Sequence, residues 1–236
     1  MARRRFFVDR ICNGVAQLTG DDAHHLTRVL RVESGQQYEI SDGAQAWLAT
    51  VTGVHKSLVE FAVEEELELS PPPVPVALYL ALIKFDRFEW AVEKATELGV
   101  ARIVPVECAR SDRGLLDGSR KRVERWRRIA REASEQSRRL TIPEIDAPAR
   151  LPERLSDSIA HRIWLDEQPG APPLLRAFGP NPVGTVALIV GPEGGWTSSE
   201  RDAFSSAGWI AASLGHAILR TETAVCAGLA LISQLL

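Results

Sequence analysis

With 236 residues, 45% of them hydrophobic and 25% charged, the chain has the composition of a folded globular protein that can bury one large core or two small ones. No apolar run is long enough to span a bilayer. The opening Arg3-Arg-Arg-Phe-Phe-Val-Asp9 stretch is interrupted by Asp9 and Arg10 before it reaches signal-peptide length. Cys12, Cys108 and Cys226 are odd in number and far apart, which argues against a disulfide framework or a zinc site, so a cytoplasmic protein without metal or membrane anchor is expected.

The net charge of −3 hides a segregation of sign. Between Gln36 and Ser70 one lysine faces seven acids, whereas between Arg110 and Arg139 eleven cations face five acids, a local net of +6. The cations comprise 24 arginines and 4 lysines, and the arginine fork suits phosphate contact and stacking on bases. A basic cluster of this kind is an electrostatic footprint of nucleic-acid binding, or else a solvated helix face.

The first 69 residues read as short strands joined by turns. A helix is expected over Asp21–Leu30, capped by Asp21 or Asp22, with Leu26, Val29 and Leu30 as its buried face. Tyr38–Ile40, Ala46–Val51 and Leu58–Val63 are partly alternating apolar runs, with Ser41-Asp-Gly43 and Thr52-Gly53 supplying turn chemistry between them. A small β-rich barrel follows. His24 and His25 have no companion ligand cluster and read as structural. The prolines of Ser70-Pro-Pro-Pro-Val-Pro75 can continue neither ladder nor helix, so residues 71–75 read as a stiff linker.

Beyond it the pattern alternates between strand and helix. Val76–Ile83 is continuously apolar, as a strand buried on both faces requires. Arg87–Leu98 places Phe88, Ala91, Val92, Ala95 and Leu98 at helical spacing and stops at Gly99. Strands are expected at Ala101–Val106, Ile163–Leu165, Val186–Val190 and Trp209–Leu214, a long basic helix over Lys121–Arg139, and a final helix over Ala224–Leu236. Such alternation predicts an α/β domain with a mainly parallel sheet.

Two glycine turns carry the chemistry. Val186–Val190 runs into Gly191-Pro-Glu-Gly-Gly195-Trp196, and Leu214 into Gly215-His-Ala-Ile-Leu-Arg-Thr-Glu-Thr-Ala224. Each follows a strand and precedes a helix, so both belong at one edge of the sheet, where open α/β sheets bind ligands. Neither matches G-x-G-x-x-G or a P-loop, which argues against a ligand held by its phosphates. Thr197-Ser-Ser-Glu200 is a capping-box pattern, and Thr221 and Thr223 are candidate caps for the last helix. Glu193 and Glu222 lie in the turns themselves, where a carboxylate can accept bonds from loop N–H groups or from a ligand's amine or ribose hydroxyl.

Gly191–Gly195, Leu214-Gly215 and Ile218–Ala224 together resemble the signature of the bacterial 16S ribosomal RNA uracil-N3 methyltransferases of the SPOUT superfamily. Arg4–Phe7 and His25–Arg31 resemble that family's PUA-like domain. Lys84, Glu89-Trp90, Lys94–Val100, Trp126 and Glu135–Arg139 fit its middle section, so the likeness spans essentially the whole chain. The resemblance implies a PUA-like β-barrel over 1–70 and, over 76–236, a SPOUT methyltransferase domain with a trefoil-knotted, mainly parallel sheet and helices on both faces. It implies S-adenosyl-L-methionine held by Leu165, Val190, Gly191, Pro192, Glu193, Gly194, Gly195, Leu214, Gly215, Ile218, Leu219, Arg220, Thr223 and Ala224, with Leu165 to Glu167 as a third wall. It also implies a homodimer acting on 16S rRNA in the small ribosomal subunit. Where the family usually carries Pro-Arg, this chain has His216-Ala217.

Arg220 is the candidate stabiliser of charge on the uracil oxygens, and Glu222 the candidate orienter of Arg220 or proton acceptor, with Glu193 as the other possible acceptor. RNA contacts are expected from Arg4, Arg5, Arg28, Arg31, Arg110, Arg113, Gln136, Arg138 and Arg139, of which Arg31 and Arg138 could equally be intramolecular partners of nearby acids. Methylation of transfer RNA or of a ribose hydroxyl, and a non-catalytic assembly factor, are the competing readings.

Overall fold

The computed structural model describes residues 4–69, 74–177 and 184–234. Most of the 71–75 linker segment, and residues 235–236 of the expected last helix, fall outside them. The chain divides into two compact units, Met1–Pro71 with Glu132–Ile142, and Pro72–Arg131 with Pro143–Leu236.

In the first unit β1 (Arg5–Phe7), β2 (Arg10–Cys12), β3 (Val15–Thr19), β4 (Gln37–Ser41), β5 (Ala46–His55) and β6 (Leu58–Glu66) form one sheet in the order β1-β4-β5-β6-β3-β2. Only β1 and β4 pair parallel; the other pairings are antiparallel. Strand β3 alternates strictly, with Ala16 and Leu18 inward, and joins Phe6, Leu26, Ile40 and Phe61 in a dry core. Each large side chain so withdrawn from water stabilises the unit by about 1.5–3 kcal/mol.

Two expectations are corrected here. Thr52-Gly53 is no turn but lies inside β5, at a register shift against β6. A Cβ at Gly53 would lie 2.9 Å from the Glu60 carboxylate, the movable end of a side chain, and 3.6 Å from the Glu60 Cβ, an ordinary contact. The helix expected over Asp21–Leu30 is α1 (Gly20–His25), preceded by Thr19 with no side-chain cap, followed by a π-helical turn over Leu26–Leu30. There the Arg31 N–H reaches back to Leu26, and this wider register swings Val29 out to 64% exposure while Leu26 stays buried.

The second unit contains β7 (Val76–Ala81), α2 (Phe85–Glu97), β8 (Arg102–Glu107), α3 (Leu115–Arg120), α4 (Val123–Gln136), β9 (Glu144–Ile145), β10 (Ala149–Arg150), β11 (His161–Leu165), α5 (Leu174–Ala177), β12 (Val186–Val190), α6 (Ser198–Ser206), β13 (Ile210–Ala212) and α7 (Thr221–Ile232). Helix α4 continues into the segment that belongs with the first unit. The strands run β10-β8-β7-β12-β11-β13, with β9 also on β8, and every pair is parallel. Strands β7 and β12 are central and buried along their whole length, which their unbroken apolar runs anticipate. The basic helix expected over Lys121–Arg139 is α4, which starts at Val123 after a tight turn in which Arg122 N–H bonds Ser119 O at 2.8 Å, and the short α3 lies ahead of it. Beneath α4, Trp126 packs on Phe88 with ring centroids 4.3 Å apart.

Candidate active site

Strands β12, β11 and β13 are adjacent and parallel, so their carboxyl ends deliver three loops to one edge. Asp166-Glu167 follows β11, Gly191–Trp196 follows β12, and Ser213–Arg220 follows β13. Between these loops lies a cavity of about 300 Å³, within the range of small-molecule sites.

Of the expected cofactor residues, Leu165, Val190, Gly191, Pro192, Glu193, Gly194, Gly195, Leu214, Gly215, Ile218, Leu219 and Ala224 line it. Arg220 and Thr223 do not, nor does the catalytic candidate Glu222: α7 starts immediately at Thr221, so Thr221 and Ala224, one turn apart, line the pocket. Asp166, Glu167, Trp196, Ser213, Ala217 and Thr221 complete the wall. Position in the chain, directly after a strand end or a glycine run, was the available signal for Trp196 and Ser213.

The glycines of the turn after β12 have close neighbours. A Cβ on Gly191 would lie 2.8 Å from the Trp196 ring, one on Gly194 3.0 Å from the Arg110 side chain, and one on Gly195 2.6 Å from a Glu167 oxygen. Gly195 also has φ +68°, which favours glycine. Trp196 is 1% exposed and donates its indole N–H to Leu165 O at 2.7 Å, joining the ends of β11 and β12.

The helix after the turn begins with a capping box. Thr197 Oγ1 accepts the Glu200 N–H at 3.2 Å, and Glu200 Oε2 accepts the Thr197 N–H at 2.8 Å. The other Glu200 oxygen accepts the Ala109 N–H at 2.8 Å, so one buried carboxylate holds both α6 and the loop after β8. Thr221 was expected to cap α7; its hydroxyl instead donates to Gly191 O at 2.8 Å, and Arg220, the residue at the cap position, offers no side-chain bond. Thr223 is exposed on the helix and caps nothing.

Asp166 is 8% exposed and is gripped by the Arg201 fork through two contacts of 2.9 Å. Burial pushes its carboxyl up, but the Arg201 guanidinium and the Gln168 N–H outweigh that and hold it below the ordinary carboxylate range. Arg201 also donates to Trp196 O at 2.7 Å and to Glu167 at 3.0 Å. Glu193 pairs with Arg87 at the start of α2. Glu222 is half-buried, and its Oε2 is enclosed with no hydrogen-bond partner among the described residues. A buried, unbonded carboxylate oxygen is rare in folded proteins.

The expected RNA contacts separate into distinct roles. Arg5 is corrected: it is 7% exposed and donates both Nε, at 3.1 Å, and Nη2, at 2.8 Å, to Glu39 Oε2, so its guanidinium faces the fold. Arg138, in the left-handed conformation at φ +55°, reaches the other Glu39 oxygen at 3.2 Å. It is therefore the intramolecular partner that was the alternative reading. Arg139 is half-buried, and burial lowers its pKa to about 10. Arg28, Arg31, Arg113 and Gln136 are exposed and Arg4 is half-buried. Arg110 is exposed and donates from Nη1 to Gly194 O at 2.7 Å, which puts it on the pocket turn.

Among the described residues no group of three or more His, Cys, Asp or Glu side chains could hold a metal ion. No described helix is long and apolar enough to cross a membrane.

Comparison with known proteins follows the two units. Residues 70–233 match the model of an RNA methyltransferase domain, and residues 18–64 that of an RNA methyltransferase PUA domain. The ribosomal RNA small subunit methyltransferase E of Bacillus subtilis is 34% identical over 92% of this chain and 88% of its own length. That of Mycobacterium tuberculosis is 33% identical over the whole of this chain and 93% of its own. The crystal structure of the Neisseria gonorrhoeae ribosomal RNA small subunit methyltransferase E bound to S-adenosyl methionine superposes with a TM-score of 0.88 at 30% identity, covering 99% of this chain and 98% of that one.

Proposed function

The chain belongs to the RNA methyltransferase family whose members include the ribosomal RNA small subunit methyltransferases E, and from that membership we propose that it methylates N3 of a uridine in 16S rRNA of the small subunit, using S-adenosylmethionine. One observation carries the reading: three neighbouring parallel strands converge backbone-rich loops on a single cavity in the methyltransferase-matching part of the chain.

The residues present fit this cofactor. Leu165, Val190, Leu214 and Leu219 offer apolar walls to a purine, the glycines let backbone N–H and C=O groups approach it, and the Glu167 and Glu193 carboxylates suit a ligand carrying positive charge. When bound, the cofactor supplies a sulfonium methyl group. The chain's own task is then to present uracil N3 in line and to remove its imide proton, because the nitrogen lone pair is otherwise delocalised. Arg220, flanked by the pocket residues Leu219 and Thr221, is assigned to stabilise negative charge on the uracil oxygens. Glu222, with its unbonded oxygen, is assigned to accept the proton or to orient Arg220. Exposed Arg28, Arg31 and Arg113 are assigned to RNA phosphates.

The same reading makes the protein a cytoplasmic homodimer with knotted cofactor loops. The apolar side chain of Ile218, a pocket residue 84% exposed, supports a second subunit there. The test incubates the protein with methyl-labelled cofactor and unmethylated small ribosomal subunits, then identifies the modified nucleoside by mass spectrometry. 3-Methyluridine is expected; another methylated nucleoside overturns the base assignment, and cofactor binding without any transfer overturns the catalytic one.

A further inference from the structure

Two arginines grip the glycine turn after β12, and they differ in one respect. Arg87 ends on the Glu193 carboxylate, which neutralises it. Arg110 ends on the Gly194 carbonyl, a neutral acceptor. No carboxylate lies within ion-pair distance of Arg110 among the described residues, and the side chain is exposed. An exposed guanidinium using one of its donors on a carbonyl keeps its full charge and several N–H groups for an anion.

The contact is also held at both ends. The turn carrying Arg110 is closed by Ser111 N–H on Cys108 O at 3.1 Å and by Cys108 N–H on Ser111 Oγ at 3.2 Å. Glu200 then bridges that turn, through Ala109 N–H, to Thr197 at the far end of the glycine loop. Gly194 packs closely on this arginine: an added Cβ would stand 3.0 Å from the Arg110 Cβ and 3.4 Å from its Cδ and would press on its stem. Arg110 is thus seated against the cofactor turn while its charge faces outward.

We propose that Arg110 is a positioning residue that couples the two ligands: it fixes the Gly191–Gly195 turn through Gly194 O and takes a phosphate of the RNA substrate with its remaining donors. This rests on the cofactor and RNA reading above. Phosphate binding draws the guanidinium into one orientation, which orders the carbonyl it holds and favours the cofactor-binding shape of the turn. By reciprocity, an occupied turn raises the affinity for RNA by the same factor.

The experiment measures binding of labelled S-adenosylhomocysteine by equilibrium dialysis, with and without saturating unmethylated small ribosomal subunits, for the wild type, Arg110→Gln, Arg110→Lys and Gly194→Ala. Co-sedimentation with the subunits is followed as a function of salt in the same preparations. In the wild type, subunits are expected to tighten S-adenosylhomocysteine binding about fivefold or more, the lower end of measured couplings. Arg110→Gln is expected to abolish this enhancement and to reduce the logarithmic salt slope of RNA binding by about 1. Arg110→Lys keeps the charge on a single compact ammonium, so it should keep the salt slope and lose the enhancement. Gly194→Ala displaces Arg110 without removing it and should also lose the enhancement.

The proposal is overturned if Arg110→Gln retains the wild-type enhancement, or if wild type that co-sediments with subunits shows none. Failure of the wild type to bind S-adenosylhomocysteine at all, or to co-sediment, instead strikes the functional reading beneath it and takes the proposal with it.

Discussion

The Thr221 hydroxyl donates to the Gly191 carbonyl at 2.8 Å, fastening the first residue of α7 to the first residue of the glycine turn after β12. The bond spans 30 residues of chain and is shielded, with Thr221 only 4% exposed. It seats α7 so that Thr221 and Ala224 line the cavity, whereas Glu222 and Thr223 are not among its lining residues. The last helix is therefore part of the pocket wall.

Thr221→Val keeps the side-chain shape and removes the donor, leaving a carbonyl without its partner. The expected cost is about 1–3 kcal/mol in urea unfolding, the usual penalty for an unmet buried polar group. Cofactor affinity measured by calorimetry should fall several-fold as the turn loses its tether. Thr221→Ser, which retains the hydroxyl, should recover most of that affinity.

Gly195→Ala tests the close approach on the opposite side of the turn. With φ at +68° and a Glu167 oxygen 2.6 Å from the added Cβ, alanine strains the backbone and displaces the Glu167 carboxylate from the turn. A destabilisation of about 1–3 kcal/mol is expected from the conformation. The larger effect is expected in binding, where at least a tenfold loss of cofactor affinity should accompany a modest fall in Tm. An unchanged affinity would show that this close approach does not shape the site.

Much of this site was legible because it is local in sequence. A glycine run bounded by an apolar strand and a capping box specifies strand, turn and helix, and the structure supplies all three at Val186–Ser206. What stayed hidden depends on partners distant in the chain. Thr221 reads as a helix cap until Gly191 is brought beside it, and Arg110 as a surface contact until Gly194 is. Arg5 looks like a free cation in a basic opening segment, yet the β1–β4 register sets it opposite Glu39 and buries both. The π-helical turn at Leu26–Leu30 was invisible for a different reason: its residues carry ordinary helical spacing, and only the Arg31-to-Leu26 hydrogen bond reveals the wider register. The short α3 ahead of the basic helix was unread because it holds a single turn and a half of chain with Gly118 inside it, a residue that reads as a break in a helix.

Asp166 links this wall to pH. Its carboxyl is held below the normal range in the folded protein, whereas in the unfolded chain it titrates near about 3.9. The charged form is therefore stabilised by folding, and that contribution is complete above the unfolded value and lost as pH falls through the lower folded one. Asp166→Asn removes it. Urea denaturation between pH 7 and pH 2 should show the variant less stable at neutral pH by about 1.5–3 kcal/mol, the range for hydrogen bonds to a charged group. The gap should begin to narrow near about pH 4 and close only below the lower folded value. A gap that stays constant with pH would mean that the Arg201 fork holds the neutral side chain equally well.

Glu222 poses the sharpest question about chemistry. A carboxylate oxygen enclosed on the first turn of α7 with no hydrogen-bond partner is unfavourable for folding, and such groups persist where they act on a substrate or reagent. If Glu222 takes the imide proton or holds the group that balances the resulting charge, Glu222→Gln should lower kcat by about 10²-fold or more, the usual contribution of a positioned base. It should leave S-adenosylhomocysteine affinity within about twofold of wild type, because Glu222 is absent from the pocket wall. Stability should hold steady or rise, since the amide needs less solvation than a buried carboxylate. Loss of turnover together with a lower Tm would mark a structural role, whereas lost turnover in an equally stable protein places the residue in the methyl-transfer step.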